Sequence, residues 1–451
     1  MTIAETVHFL KDHFPTSVPS ALIEGLCRDV GHHWRERDLG PVLTTHLFVQ
    51  QILHGNVPVG ELRHLSGVPF TDAAYCQARQ RLPRRMLERL QQAVTGQVWA
   101  GTARDRTARW HGHRVFLLDG SSFSMPDTPT LQAHFGQPSE QAEGCGFPVA
   151  HLMVLCDAAD GYLLKTEALP LCTSDLARAA ALHDALKRGD VLVGDRAFAS
   201  FAHLALCRRR GLHGLFRAHQ NQIICFRPHR RHRTPKDRGP YTQGLPSSRW
   251  LQRLGRHDQL VEYVKPAKRP AWMTAADYAR LPETLKVREV RVRVGCPGQR
   301  TRVLTLVTTL LDPEKYSAKA LARLYGLRWG VETNLKHLKQ TLQMDVLRSH
   351  TVEGVLKELT LFVLVYNLVR RVMREAGKRQ GVPTERISFI DAWRWLRYAQ
   401  PGDDLPALKV NPHRPDRHEP RVRKRRPKQF PVMKRPRKQL RKALRKQGVA
   451  A

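Results

Sequence analysis

The chain has 451 residues, with 75 lysines and arginines against 40 acidic residues and a formal net charge of +35. Such an excess repels itself unless a polyanion neutralises it, so nucleic acid is the first partner to consider and a membrane surface the second. A spanning segment is excluded: the richest apolar run, residues 359–368, is too short and contains Asn367.

The length allows more than one domain and a sizeable core. The opening MTIAETVHFLKDHF lacks the basic start and cleavage pattern of a signal peptide. The cysteines (Cys27, Cys76, Cys145, Cys156, Cys172, Cys207, Cys225 and Cys296) include no CxxC pair. They fit neither a disulfide framework nor a zinc site and read as reduced and mostly buried, in a cytosolic protein.

Residues 1–110 read as a helical region. Periodicity predicts helices over 43–54 and 59–65, then a turn through Gly67 and Pro69. Thr71 is placed to cap a third helix, DAAYCQARQRL, which ends before Pro83. Helix, glycine turn and a second helix bearing Tyr75, Gln77, Arg79, Gln80 and Arg81 matches a helix-turn-helix entering a major groove. A plain helical hairpin with a basic face has the same pattern.

From His113 the pattern changes to strands. RVFLLDGSS is an apolar strand ending in Asp119 and a Gly-Ser turn. VAHLMVLCD and YLLKTEALP form a hairpin joined by AADG. A helix capped by Thr173 or Ser174 runs to Lys187, DVLVGDRAF is a buried strand ending at Asp195, and a helix over 201–210 precedes the strand LHGLFRA. Either aspartate alone reads as a turn starter; Asp127, Asp157 and Asp160 fit that role better than metal binding.

Residues 220–310 exceed what this core needs. They begin with the basic stretch RPHRRHRTPKDRGP, read as a solvated loop despite its histidines. They continue in strands such as VREVRVRV, where Val290, Val292 and Val294 alternate with Arg291 and Arg293.

The stretch YGLRWGVETNLKHLK, residues 325–339, reads as one helix. At 3.6 residues per turn it brings Tyr325, Arg328, Glu332, Lys336 and Lys339 onto one arc. Leu324, Val331, Leu335, Leu338 and Leu342 form an apolar stripe beside it. One carboxylate among cations suits a metal ion and phosphates; an ordinary i,i+4 ion pair of Arg328 with Glu332 has the same spacing. Helices follow over 352–374 and 387–398. From His413 the chain is dense in Arg, Lys and Pro and reads as a disordered polycation that adds salt-sensitive affinity for DNA.

The spacing Tyr325, Arg328, Glu332, Lys339 resembles the Tyr-(2)-Arg-(3)-Glu-(6)-Lys signature of the insertion sequence 4 family of bacterial DDE transposases. LLDGSSFSMPDTP, GCGFPVAHLMVLCDAADG, GDRAFAS and FTDAAYCQARQRLP resemble further parts of that family, in patches from about residue 57 to 375. The resemblance implies an α/β fold: a ribonuclease-H-like mixed sheet with flanking helices, interrupted by a β-rich insertion and preceded by a helical N-terminal domain. The expected division is 1–110 for DNA binding, 111–219 and 311–400 for the catalytic core, 220–310 for the insertion and 401–451 for the basic disordered tail.

The resemblance further implies cut-and-paste transposition by hydrolysis and strand transfer at terminal inverted repeats. Asp119, Asp195 and Glu332 would hold Mg²⁺, or Mn²⁺ in its place. Tyr325, Arg328, Lys336 and Lys339, with Tyr75, Gln77, Arg79 and Arg81 of the N-terminal region, would contact double-stranded DNA, both transposon ends and target. Trp250, Trp272 and Trp329 are candidates to stack on an unpaired base, with a core role as the default for each. A homodimer on the DNA ends, no membrane, and a cytoplasmic, nucleoid-associated location complete the expectation. A nuclease of the same fold without joining activity, and a non-catalytic transposase-derived DNA-binding protein, are the alternatives.

Overall fold

The computed structural model describes residues 18–139, 142, 144–171, 173, 175–234, 244–294, 302–399, 403–412 and 435–447. The N-terminal region is helical: α1 (Ser20–Asp29), α2 (Pro41–Leu53), α3 (Val59–Ser66), α4 (Asp72–Arg81) and α5 (Arg84–Arg104). Local chemistry sets these boundaries. Gly67 ends α3 at φ 62°, where a side chain would be strained. Thr71 caps α4, accepting a hydrogen bond from the Ala74 amide at 3.2 Å.

The remaining elements are β1 (Val115–Ser124), α6 (Pro129–Phe135), β2 (Val149–Asp157), β3 (Leu163–Pro170), α7 (Asp175–Leu182), β4 (Val191–Gly194), α8 (Phe201–Arg209) and β5 (His213–Arg217). Then come β6 (Arg249–Gly255), β7 (Asp258–Val264), α9 (Ala275–Ala279), β8 (Thr284–Val294), β9 (Arg302–Thr308), α10 (Ala318–Gly326), α11 (Arg328–Lys336), α12 (Val352–Gln380), α13 (Phe389–Tyr398) and α14 (Arg437–Lys446). Among the described residues the strands form one nine-stranded sheet in the order β3-β2-β1-β4-β5-β9-β8-β7-β6. β1, β4 and β5 are parallel, and the other pairings are antiparallel. The strands of the 220–310 stretch therefore extend the edge of the central sheet through β9.

Both faces of the sheet are covered. Val115 and Leu117 of β1 pack on one side with the apolar stripe of α11 and with α12, while Phe116 and Leu118 pack on the other with α7 and α8. This alternation follows from the two-residue period of a strand and fixes the face to which Asp119 belongs. The N-terminal helices are tied to α12 by buried polar contacts. Glu358, fully buried, accepts from Asn56 Nδ2 at 2.6 Å, from the Arg348 and Ser349 amides, and from Ser349 Oγ. Lys357 Nζ donates to the Gln80 carbonyl at the end of α4 at 3.0 Å. Such satisfied buried networks fix one arrangement, because any other leaves a charge unpaired.

Several expectations need correction. β1 does not turn at Gly120 but runs on to Ser124, paired with β2 as far as Val149. The helix expected up to Lys187 ends at Leu182 and continues as a 3-10 turn, His183–Ala185. The 325–339 stretch is not a single α-helix: α10 ends at Gly326, α11 starts at Arg328, and a π turn occupies His337–Thr341. The basic tail is not without structure throughout, since α14 forms over Arg437–Lys446. Its Arg, Lys, Leu, Gln and Ala residues have high intrinsic helix propensity, which needs no core. Residues 413–434 of that tail, the proposed cap Ser174, and Cys172 and Cys296 lie outside the described residues.

Candidate active site

Strand register brings the two aspartates together. The last parallel pair of β1 and β4 is Leu118 with Gly194. The next residue on each strand is Asp119 and Asp195, at the point where β4 ends and β1 alone continues. Asp119 Oδ1 accepts from the Gly120 amide at 2.9 Å. Asp195 caps the 3-10 turn Arg196–Phe198, accepting from the Ala197 amide at 2.5 Å. α11 crosses this position, with Gly330 close over Leu117 of β1, and delivers Glu332 from the same face.

Arg328 joins the two sides. Its Nη2 lies 2.5 Å from Glu332 Oε1 and its Nη1 lies 3.6 Å from Asp119 Oδ2. Its side chain is 11 % exposed, Asp119's is 19 % and Glu332's is 55 %. The i,i+4 pair of Arg328 with Glu332 forms, and Arg328 also lies against the strand aspartate Asp119. Nε of Arg328 is buried without a partner among the described residues.

The electrostatics follow from burial and crowding. Burial raises the Asp119 carboxyl to about 6, and the nearby carboxylates of Glu332 and Asp195 push in the same direction against the pull of Arg328. Burial likewise raises the Tyr325 phenol to about 12; its hydroxyl region feels Arg328, Asp195 and Arg217. The three carboxylates do not close to within 4.8 Å of one another.

Lys339 Nζ lies 3.2 Å from Ser121 Oγ, two residues beyond Asp119 on the same face of β1. Lys339 lies within the π turn His337–Thr341 that follows Lys336. Lys336 is exposed. Ser121 and Arg217 are additions to the sequence reading. Their signals were the two-residue period from Asp119 and a basic residue closing β5, neither distinctive without the register.

The N-terminal candidates divide. Gln77, Gln80 and Arg81 are exposed on α4. Tyr75 is not on that face: it is fully buried and its hydroxyl donates to Gln51 Oε1 at 3.1 Å. The short helix packs through Tyr75 and Ala78, so an aromatic at that phase fills the core. Arg79 stacks over Phe48, with Cζ 3.7 Å from the ring centroid, and donates to Gln51 Oε1 and Ser349 Oγ. Trp250, Trp272 and Trp329 are all half-buried, Trp329 edge-on to Tyr325 and Trp250 against His229.

Comparison with known proteins places this geometry. The transposase DDE domain family model matches residues 110–368, more than half of the chain, which contain all three carboxylates and Lys339. Transposase InsG for insertion sequence element IS4, of Escherichia coli (strain K12), is 25 % identical over 386 residues, covering 81 % of this chain and 79 % of InsG. Among solved structures, a piggyBac transposase synaptic complex with hairpin DNA aligns at a TM-score of 0.40 and 10 % identity, over 87 % of this chain and 79 % of that one. The chain belongs to the transposase DDE domain family, as a DNA transposase of the insertion sequence 4 kind that cleaves DNA and transfers strands.

Proposed function

We propose that Asp119, Asp195 and Glu332 are the metal-binding carboxylates of this transposase, and that Tyr325, Arg328 and Lys339 grip phosphates beside the scissile bond. The observation that carries this reading is Arg328, a guanidinium drawn between carboxylates that come from a strand and a helix far apart in sequence. A cation is wanted there, because burial and mutual repulsion raise the Asp119 carboxyl.

Transposases of this family are metal-dependent and generally use divalent cations. We assign Mg²⁺, with Mn²⁺ as a substitute, because the donors are hard carboxylate oxygens. When bound, such ions lower the pKa of an attacking water or 3′-hydroxyl and stabilise the departing oxygen. The chain's own residues do the positioning. Arg328 offers a planar guanidinium fork for two phosphate oxygens, while Lys339, held against Ser121, supplies a point charge. Lys336, one turn away and exposed, faces the flanking backbone.

A ribonuclease-H-like core is supported by the order β3-β2-β1-β4-β5, with β1, β4 and β5 parallel and β2 and β3 antiparallel. We divide the chain into the helical DNA-binding region 1–110, that core over 111–219 and 311–400, the inserted strands of 220–310, and the basic tail 401–451. Gln77 and Arg81 are the N-terminal residues placed to meet duplex DNA. One triad serves one cut at a time, so a homodimer spanning both transposon ends fits cut-and-paste chemistry. Among the described residues no helix is long and apolar enough to cross a membrane; with a net charge of +35 we place the protein on the nucleoid, in the cytoplasm.

Cleavage of a labelled transposon-end duplex tests the triad. Asp119→Ala, Asp195→Ala and Glu332→Ala should each abolish cutting while leaving binding of end DNA largely intact. Wild-type cutting by any one of them, with Mg²⁺ present, sinks the assignment.

A further inference from the structure

The sheet face opposite Glu332 carries a second group of ligand-type side chains. His183 lies in the 3-10 turn after α7, and His203 and Cys207 are one turn apart on α8. One ligand atom from each falls within 4.8 Å of the others, the one such group of three His, Cys, Asp or Glu side chains among the described residues. His183 Nε2 is 3.0 Å from His203 Nε2, and Cys207 Sγ is 4.0 Å from His183 Nε2. Metal–N and metal–S bonds of about 2.0 and 2.3 Å at tetrahedral angles imply N···N near ~3.3 Å and N···S near ~3.6 Å. The spacing therefore needs a few tenths of an ångström of adjustment to close on an ion.

All three side chains are buried, His203 and Cys207 completely. The Phe198 carbonyl can only accept, so His203 Nδ1 carries its proton and donates to it at 2.8 Å. This second contact leaves the Nε2 lone pair directed into the group, as in metal-ligating histidines. The metal-free contact then requires His183 Nε2–H to donate to His203 Nε2, and His183 Nδ1 is buried with no partner among the described residues. Burial keeps both imidazoles neutral, holding His183 down at about 2 and His203 at about 4, so neither lone pair is lost to protonation at neutral pH.

We propose that His183, His203 and Cys207 hold a thiolate-seeking d¹⁰ cation, Zn²⁺ or Cu⁺, separate from the carboxylate site. Binding releases one proton, from the Cys207 thiol, and moves the His183 proton from Nε2 to Nδ1. Cu⁺ with one thiolate and two neutral imidazoles gives a neutral centre, favoured in a buried setting; Zn²⁺ leaves one positive charge and calls for a fourth donor. The Phe198 carbonyl belongs to the turn capped by Asp195, so the ion would brace that turn from behind.

The test uses the full chain, reduced and stripped with a chelator. It is titrated with Co²⁺ as the visible surrogate for Zn²⁺, and separately with Cu⁺ against a chromophoric Cu⁺ chelator. The expected result is one thiolate-bound ion per chain, counted by a thiolate-to-cobalt absorption band or by Cu⁺ withheld from the chelator and apart from any Co²⁺ taken up by the carboxylate site, with one proton released from the thiol. Cys207→Ala, a small change that keeps the helix, should remove the signal, whereas Asp195→Ala should keep it, since carboxylates give no thiolate band. Cobalt absorption points to Zn²⁺, and Cu⁺ retention alone points to Cu⁺. Neither signal, or a signal that survives Cys207→Ala, overturns the assignment.

Discussion

Arg79 and Arg328 look alike in the sequence and differ in the fold. Each is an arginine on a helix, following a tyrosine by three or four residues, in a segment that resembles a DNA-handling motif. Arg79 spends its guanidinium on the Phe48 ring, Gln51 and Ser349, so its charge joins the N-terminal helices to the residues preceding α12. Arg328 lies over the Trp329 ring and beside Tyr325, but its ion-pair partners are carboxylates from two elements, and among the described residues its buried Nε has no hydrogen-bond partner. Arg79 is thus satisfied by neutral groups, whereas Arg328 is held by carboxylates, the pair that we propose a metal and a phosphate would rearrange.

The largest expected effect breaks this comparison in both directions. Arg328→Ala should reduce cleavage and joining by about 10²–10³-fold, the scale of removing one donor from a transition-state site, with thermal unfolding near wild type. Arg79→Ala should instead cost roughly 1–3 kcal/mol of stability through the lost cation–π contact and hydrogen bonds, with per-molecule cleavage preserved. If Arg79→Ala unfolds like wild type but binds end DNA poorly, the two arginines are the same kind of residue after all.

Chemical identity sharpens the contrast. Arg328→Lys should remain strongly defective because a point charge cannot replace the two-pronged contact, and Lys339→Ala should impair joining without unfolding. Active protein from both variants would reduce α11 to an ion-paired surface.

A smaller effect concerns charge far from the site. Removing residues 413–451 should weaken binding to every DNA sequence and make the dependence of log K on log salt shallower, with cleavage at saturating DNA retained. An unchanged salt slope would mean that the tail leaves DNA alone.

Smallest is Tyr75→Phe, which loses one buried hydrogen bond while Arg79 still serves Gln51 Oε1, for a cost of about 1 kcal/mol and no change in DNA affinity. Equilibrium denaturation measures it; a selective loss of DNA binding would return Tyr75 to the interface.

Much of the core was legible because its signals are local. VAHLMVLCD is β2 as read, and the apolar stripe of Leu324, Val331, Leu335, Leu338 and Leu342 is buried throughout. Thr71 caps its helix as its side-chain chemistry requires. Tyr75 went wrong because a ten-residue helix with little amphipathic contrast does not announce which phase packs inward. The π turn at His337–Thr341 was invisible because nothing in HLKQT departs from ordinary helical composition.

By itself the sequence determined the hydrophobic strands, the strongly amphipathic helix stripe of Leu324 to Leu342, the charge excess and the identity of the acidic residues, since these depend on side-chain chemistry and on periods of two and 3.6 residues. The tertiary structure alone decided which distant residues meet. The β1–β4 register puts Asp119 beside Asp195, and the crossing of α11 over β1 brings Arg328 between Asp119 and Glu332. The packing of α8 beside the turn after α7 closes His183, His203 and Cys207 into one group without any telltale spacing. Contacts between residues tens to hundreds of positions apart are set by how whole faces bury against each other, and no local pattern encodes that sum.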